Sequence, residues 1–198
     1  MDTSILTTKR LILRKFTEMD LVPIYEIFSH EEVNRFLPWF PLKTPEDAAL
    51  FYKERFENKY RQGRSYQYAV CLKEDNYPIG YIHAETDDSH DFGYGLRKEF
   101  WHNGIITEAG RAVIEQLKRE GVPYITATHD VNNPRSGEVM RRLGMRYQYS
   151  YEEQWQPKDF LVVFRMYQLN LDENPCQGYK KYWVKSAVHF GETDKSFP

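Results

Sequence analysis

Cysteine is scarce in this chain: Cys71 and Cys176 are its only two among 198 residues. They lie far apart in no metal-spaced motif, which excludes a disulfide framework and a thiolate zinc site. A reduced, cytoplasmic setting is expected. Positive charge shows no excess either. The 27 Lys and Arg residues against 29 Asp and Glu give a net charge of −2. A protein held to nucleic acid by its overall charge is thereby excluded. No run approaches the ~18 apolar residues of a membrane span. Met1–Ile5 lacks a basic segment followed by an apolar core, so no secretory leader and no membrane partner are expected.

Several sequence signatures are missing as well. His83-Ala84-Glu85 matches half of a zinc deaminase site, but the Pro-Cys-x-x-Cys half is absent. Gly93-Tyr94-Gly95-Leu96 has the middle of an RNA-recognition consensus, with Phe92 where a basic residue belongs. There is no Gly-x-x-x-x-Gly-Lys-Ser/Thr loop and no Gly-x-Ser-x-Gly elbow. The six histidines form no i, i+4 pair, and no metal is expected.

Aromatic residues are plentiful, at 16% of the chain, with 15 tyrosines. The length makes one domain the prior and suffices for a core without staples. Arg10–Arg14 reads as a strand. Thr17, with Asp20 in capping-box position, opens a helix to about His30. Thr44-Pro45 starts a second helix that ends near Gly63. Strands follow over Tyr66–Leu72, Pro78–Thr86 and Phe92–Leu96. A helix over Ile105–Glu120 carries the stripe Ile106, Ala109, Val113, Leu117. Then come a strand over Pro123–Thr128, a helix opened by Asn133-Pro134 and closed at Gly144, and strands over Arg146–Trp155 and Phe160–Asn170. The order β-α-α-β-β-β-α-β-α-β-β is an α+β, mixed α/β pattern. Its segment Phe92–Thr128 is a β-α-β unit, so those two strands should be parallel near neighbours. Residues 172–178 break the pattern, giving a domain over 1–171 and an aromatic tail over 172–198.

Two turns carry candidate chemistry. Trp101-His102-Asn103-Gly104-Ile105-Ile106-Thr107 joins a strand to a helix. Glycine permits close backbone approach there, and the first helical amides are unpaired and lie at the positive end of the dipole. Such a turn is a natural pyrophosphate cradle. Asn133-Pro134-Arg135-Ser136 reads most simply as a helix cap followed by its first turn.

Taken together, Gly93-Tyr94-Gly95-Leu96, Trp101–Ala109 and Asn133-x-x-Ser136-x-x-Val139-x-x-x-Leu143-Gly144-Met145 resemble the GNAT superfamily of acetyl-CoA-dependent N-acetyltransferases. The opening Leu6–Arg14 is similar to the branch that contains ribosomal-protein alanine and serine N-terminal acetyltransferases. The resemblance spans about residues 6–171. It implies a strongly twisted sheet, splayed in its middle, with acetyl-CoA entering the splay. Gly95 and Leu96 would then offer backbone amides to the pantetheine and the thioester oxygen. His102, Asn103, Gly104, Ile105, Ile106 and Thr107 would wrap the pyrophosphate, Asn133 would hold the pantetheine arm, and Ser136 would sit near the thiol. The sequence departs from the family's usual Gly-Lys-Gly-Tyr-Ala loop, and Met140 stands where many members carry a tyrosine acid. That moves the acid role toward Ser136.

The implied reaction is direct attack of a neutral amine on the thioester. Preset amides that stabilise the oxyanion are usually the largest catalytic term. Glu85 is the first candidate for the base, with Asp91 and Glu152 as alternatives. An α-amine of pKa ~8 is roughly a tenth neutral at pH 7, whereas a lysine amine is neutral in only about four per ten thousand, so an α-amine needs only a modest base. The acceptor is expected to be a peptide N-terminus or a small-molecule amine. A second reading is a non-catalytic acyl-CoA-binding module of the same fold. The sequence leaves monomer and homodimer open.

Overall fold

The computed structural model describes residues 3–63, 65–173 and 178–192. Within them, strands β1 (Leu6–Thr7), β2 (Leu11–Arg14), β3 (Tyr66–Leu72), β4 (Pro78–Ala84) and β5 (Phe92–Leu96) form one antiparallel sheet in that order. Strands β6 (Tyr124–Asp130), β7 (Arg146–Trp155), β8 (Phe160–Asn170) and β9 (His189–Phe190) form a second, ordered β6-β8-β7-β9. The half-sheets meet at a parallel bridge, Asp91 to Thr126. Beyond it β5 and β6 diverge, so the β-α-β unit closes in the expected parallel sense and then opens.

Helices cover the faces for reasons local to the sequence. α1 (Leu21–Ser29) follows a single turn in which the amide and hydroxyl of Thr17 both donate to Asp20. Asp20 is buried and takes a bidentate pair from Arg14 at 2.8 and 2.9 Å. α2 (Glu31–Asn34) is one short turn. α3 (Pro45–Tyr52) starts at the Thr44 cap, widens into a π turn over Lys53–Glu57, and resumes as α4 (Asn58–Arg61). The single helix expected to Gly63 is therefore interrupted.

α5 (Ile105–Arg119) buries its whole predicted stripe against the first sheet. Each fully buried aliphatic side chain there contributes about 1.5–3 kcal/mol. α6 (Pro134–Arg142) packs beside it, with Leu143 under Gly110. The opposite face of the first sheet buries Phe16, Ile27, Phe28 and Phe56. The opposite face of the second sheet buries Tyr149, Tyr151 and Phe164 beneath Tyr179, Tyr182 and Trp183. The tail therefore docks: α7 (Lys181–Lys185) lies on β7, and β9 pairs with it. Glu192 anchors it through Arg165 and Ser150.

Candidate active site

The divergence of β5 from β6 opens a cleft of about 920 Å³. Strand register decides which amides face it. Arg97 N–H donates to Ile79 and Glu85 N–H to Asp91, and Tyr81 lies opposite Gly95. In an antiparallel pair these bonded positions recur every second residue. The amides of Gly93 and Gly95 are therefore directed at β4, and those of Tyr94 and Leu96 at the opening. Both expected donors line the cleft, but the Leu96 amide is directed into it and the Gly95 amide toward β4. Gly95 has a different reason to be glycine: a Cβ there would stand 2.4 Å from the Tyr81 ring.

The turn after β5 has the form of an anion cradle. His102 and Gly104 both adopt left-handed conformations, at φ of 62° and 69°. The first helical backbone bond is Glu108 N–H to Gly104, which leaves the amides of Ile105, Ile106 and Thr107 outside that ladder. Their side chains diverge: Ile105 and Ile106 enter the core. Asn103 instead folds onto its own loop, donating to Trp101 at 2.9 Å. Glu108, an acid in the first turn of α5, accepts from the Thr8 hydroxyl and from Arg10, and so ties the N-terminal segment to α5.

On the facing wall, Asn133 occupies the position before α6 but makes no cap bond with its side chain, which lines the cleft. The simple capping reading therefore does not account for it. The Tyr94 hydroxyl spans the opening, donating to the Ser136 carbonyl at 2.8 Å and standing 3.0 Å from its hydroxyl. Burial pushes the Tyr94 phenol well above its ordinary pKa. Met140 is buried below.

At the other end lie the carboxylates. Glu85 is ion-paired with Lys59, takes a long bond from Gln67, and has His83 3.9 Å away. Asp91 is half-buried in the cleft wall, without a cation partner among the described residues. Burial first, then the charges of Glu85 and Asp87, push its carboxyl up to about 7. Burial also pushes His83 down to about 4, helped by Lys59 and Arg55 and opposed by Glu85, so it is neutral at pH 7. Along β7, Tyr151, Glu153 and Trp155 line the cleft. Glu152 has the opposite strand parity and faces away, so the late-strand carboxylate is Glu153. Tyr182 from the tail stacks on Tyr151 at 5.3 Å and completes this wall.

The acetyltransferase (GNAT) domain family matches residues 10–146. The chain belongs to that family. An uncharacterized N-acetyltransferase of Bacillus subtilis, YnaD, is 29% identical over 145 residues, covering 71% of this chain and 82% of that protein. Two solved structures share the fold. One is an acetyltransferase from Salmonella typhimurium that modifies the N-terminal serine of ribosomal protein L7/L12, at TM-score 0.74 and 16% identity, covering 85% of this chain and all (100%) of that one. The other is a ribosomal L7/L12 α-N-protein acetyltransferase in complex with coenzyme A, at TM-score 0.74 and 18% identity, covering 86% and 100%.

In this GNAT chain, sequence reasoning missed Tyr94 and Glu153 as cleft residues, and it offered the tail aromatics around Tyr182 equally as substrate wall or as core packing. Tyr94 lay inside a quoted motif, and strand alternation from Phe92 could have found it. The choice for Tyr182 depends on the tail pairing with a strand about 40 residues earlier in the chain, which composition does not specify.

Proposed function

We propose that this protein is an acetyl-CoA-dependent N-acetyltransferase acting on a primary amine. Acetyl-CoA supplies the acetyl group as an activated thioester. The residues fit it: the free amides of Ile105, Ile106 and Thr107 suit a pyrophosphate, the uncommitted Asn133 amide suits the pantetheine arm, and the Tyr94 and Leu96 amides suit an oxyanion. Within that frame His102 and Gly104 shape the cradle, and Asn103 fixes its loop.

The observation that carries the enzyme reading over a passive acyl-CoA module is Asp91. It is a half-buried carboxyl on the cleft lining with no cation partner among the described residues, and a carboxyl pushed up to about 7 by burial and by Glu85 and Asp87 suits proton exchange near neutrality. Asp91 takes the proton of the incoming ammonium, in place of Glu85, whose carboxylate is occupied by Lys59. Ser136, oriented by Tyr94, relays the second proton of the attacking amine to the departing thiolate, a weak base whose thiol pKa is about 8.5, and so ends as a neutral hydroxyl. The acceptor enters past Tyr151, Glu153 and Tyr182. The fold neighbours that act on ribosomal protein N-termini support an α-amine acceptor, as does the modest strength of the base.

The test is an amine panel with acetyl-CoA, followed by thiol release and by mass of the product. Release dependent on amine, and abolished in Asp91→Asn, supports the reading. Acetyl-CoA binding with no amine-dependent release across peptides and small amines supports the passive module.

A further inference from the structure

Arg55 lines the same cleft and has no part in the chemistry above. It sits within the π turn Lys53–Glu57, where the helix ladder gains one residue per turn. Such a turn rotates the following side chains about the axis, and π turns recur at functional sites. Here Phe56 goes to the core and Arg55 to the cleft wall. The guanidinium lies 4.1 Å from the centroid of Trp39 and 5.8 Å from that of Phe51.

Of the other cations that line the cleft, Arg35 and Arg135 are exposed to solvent, and Lys59 and Arg142 have anions of their own. Lys59 holds Glu85 and Lys98 holds Glu32. Among the described residues, Arg55 makes no ion pair and no hydrogen bond. A guanidinium carries five N–H donors in a planar fork, and stacking on rings satisfies none of them. Burial lowers its pKa, with Tyr81 and Glu85 opposing, yet an arginine stays charged at neutral pH. A half-buried, unmatched cation is expensive unless something in the functional state pairs with it. The charge balance of this wall sets the partner's size. Lys59 and Glu85 cancel, which leaves Arg55 as a half-buried positive charge on the cleft wall with no anion of its own among the described residues.

We infer that Arg55 receives a carboxylate of the acceptor, so that the amine substrate of this enzyme is itself an acid: a free amino acid or a peptide with an acidic residue near its N-terminus. This rests on the acetyl-transfer reading for its chemistry, but the binding site is a separate matter. A planar monoanion matches the fork bidentately. The amine of the same molecule then lies on the wall that holds Asp91, and Trp39 and Phe51 keep the fork in plane.

The test uses matched pairs on the full chain: leucine and leucinamide, 4-aminobutyrate and butylamine, and the peptide amides Ser-Asp-Ala-Ala and Ser-Asn-Ala-Ala. Thiol release gives kcat and KM, and calorimetry on protein preloaded with coenzyme A gives affinity without turnover. At least one acid should exceed its neutral partner by tenfold or more in kcat/KM and in affinity. The pair that does so identifies a free or a peptide acid. Arg55→Met, which keeps the apolar stem, should bring that pair within threefold by raising KM for the acid. Arg55→Lys should retain part of the preference, and KM for acetyl-CoA is the control. The proposal is overturned if no acid is preferred in either measurement, or if Arg55→Met weakens both members of a pair equally. Calorimetric preference without any thiol release would sustain the Arg55 site and overturn the transfer reading instead.

Discussion

Asp91 and Thr126 form the parallel bridge at which the two half-sheets part. The same aspartate is the carboxyl driven up to about 7 by burial and by Glu85 and Asp87. The fork of the sheet and the proposed proton acceptor thus share one residue. Backbone at that point is held by both halves, with Thr126 donating to His90 through its amide and to Ser89 through its hydroxyl. The side chain beside it inherits that rigidity, which a proton acceptor needs.

Asp91→Asn should lower kcat by about 100-fold, within the usual range for a lost general base. The native rate should rise with pH through about 7 and level off, and the variant should lack that rise. Stability moves the other way. A carboxyl whose folded pKa lies above its unfolded value of ~3.9 costs stability as pH rises from there through about 7. Asp91→Asn should therefore raise the melting temperature at pH 8 and change it little at pH 4. A rate profile identical to the native one would exclude Asp91 as the base.

Glu85→Gln separates two roles for that residue. Its charge helps hold the Asp91 proton on, so the variant should shift the rising limb of the rate profile to lower pH while keeping the limb itself. Were Glu85 the base, turnover would fall far more at pH 7 than at pH 9 and the limb would vanish. The pH dependence of kcat/KM over pH 5–9 distinguishes the two.

Ser136→Ala should lower kcat by roughly 10-fold or more with acetyl-CoA affinity nearly unchanged. Tyr94→Phe removes the bond that orients this turn, so it should lower kcat and also cost about 1 kcal/mol of stability. Titration calorimetry and thermal melts on both variants check this. A Ser136→Ala protein that melts lower but turns over normally would reduce Ser136 to a helix-start residue.

Gly104 tests the cradle. A Cβ there would meet nothing closer than Arg10 Nη2 at 3.9 Å, so the protein itself has room for a side chain. The left-handed φ of 69° adds a cost of about 1–2 kcal/mol. Acetyl-CoA at millimolar concentration should raise the native melting temperature. Gly104→Ala should lower the unliganded melting temperature slightly and keep most of that rise. Gly104→Asp should abolish it by placing a like charge beside the phosphates. An undiminished rise in Gly104→Asp would put the cradle elsewhere.

What the sequence determined by itself was whatever depends on near neighbours. The stripe Ile106, Ala109, Val113, Leu117 lies on one face of α5 because helical periodicity is a local geometry, and all four are buried. Strands β3, β5, β7 and β8 begin and end where their composition said, and the β-α-β handedness rule placed β6 beside β5. The turn at Gly104 was legible as a helix start because that backbone geometry is local, whereas the roles of Asn133 and Ser136 came from the resemblance of the whole motif. Tertiary structure alone decided among the carboxylates. Glu85, Asp91 and Glu152 are alike as residues on or beside strands; one is paired by Lys59 from a distant helix, one is half-buried where the two half-sheets meet, and one faces away by strand parity. Ionisation is set by the burial and charges that other segments bring. The same reason hid Arg55, carried to the cleft by a π turn, and left open the place of Tyr182, carried there by a tail that pairs with β7.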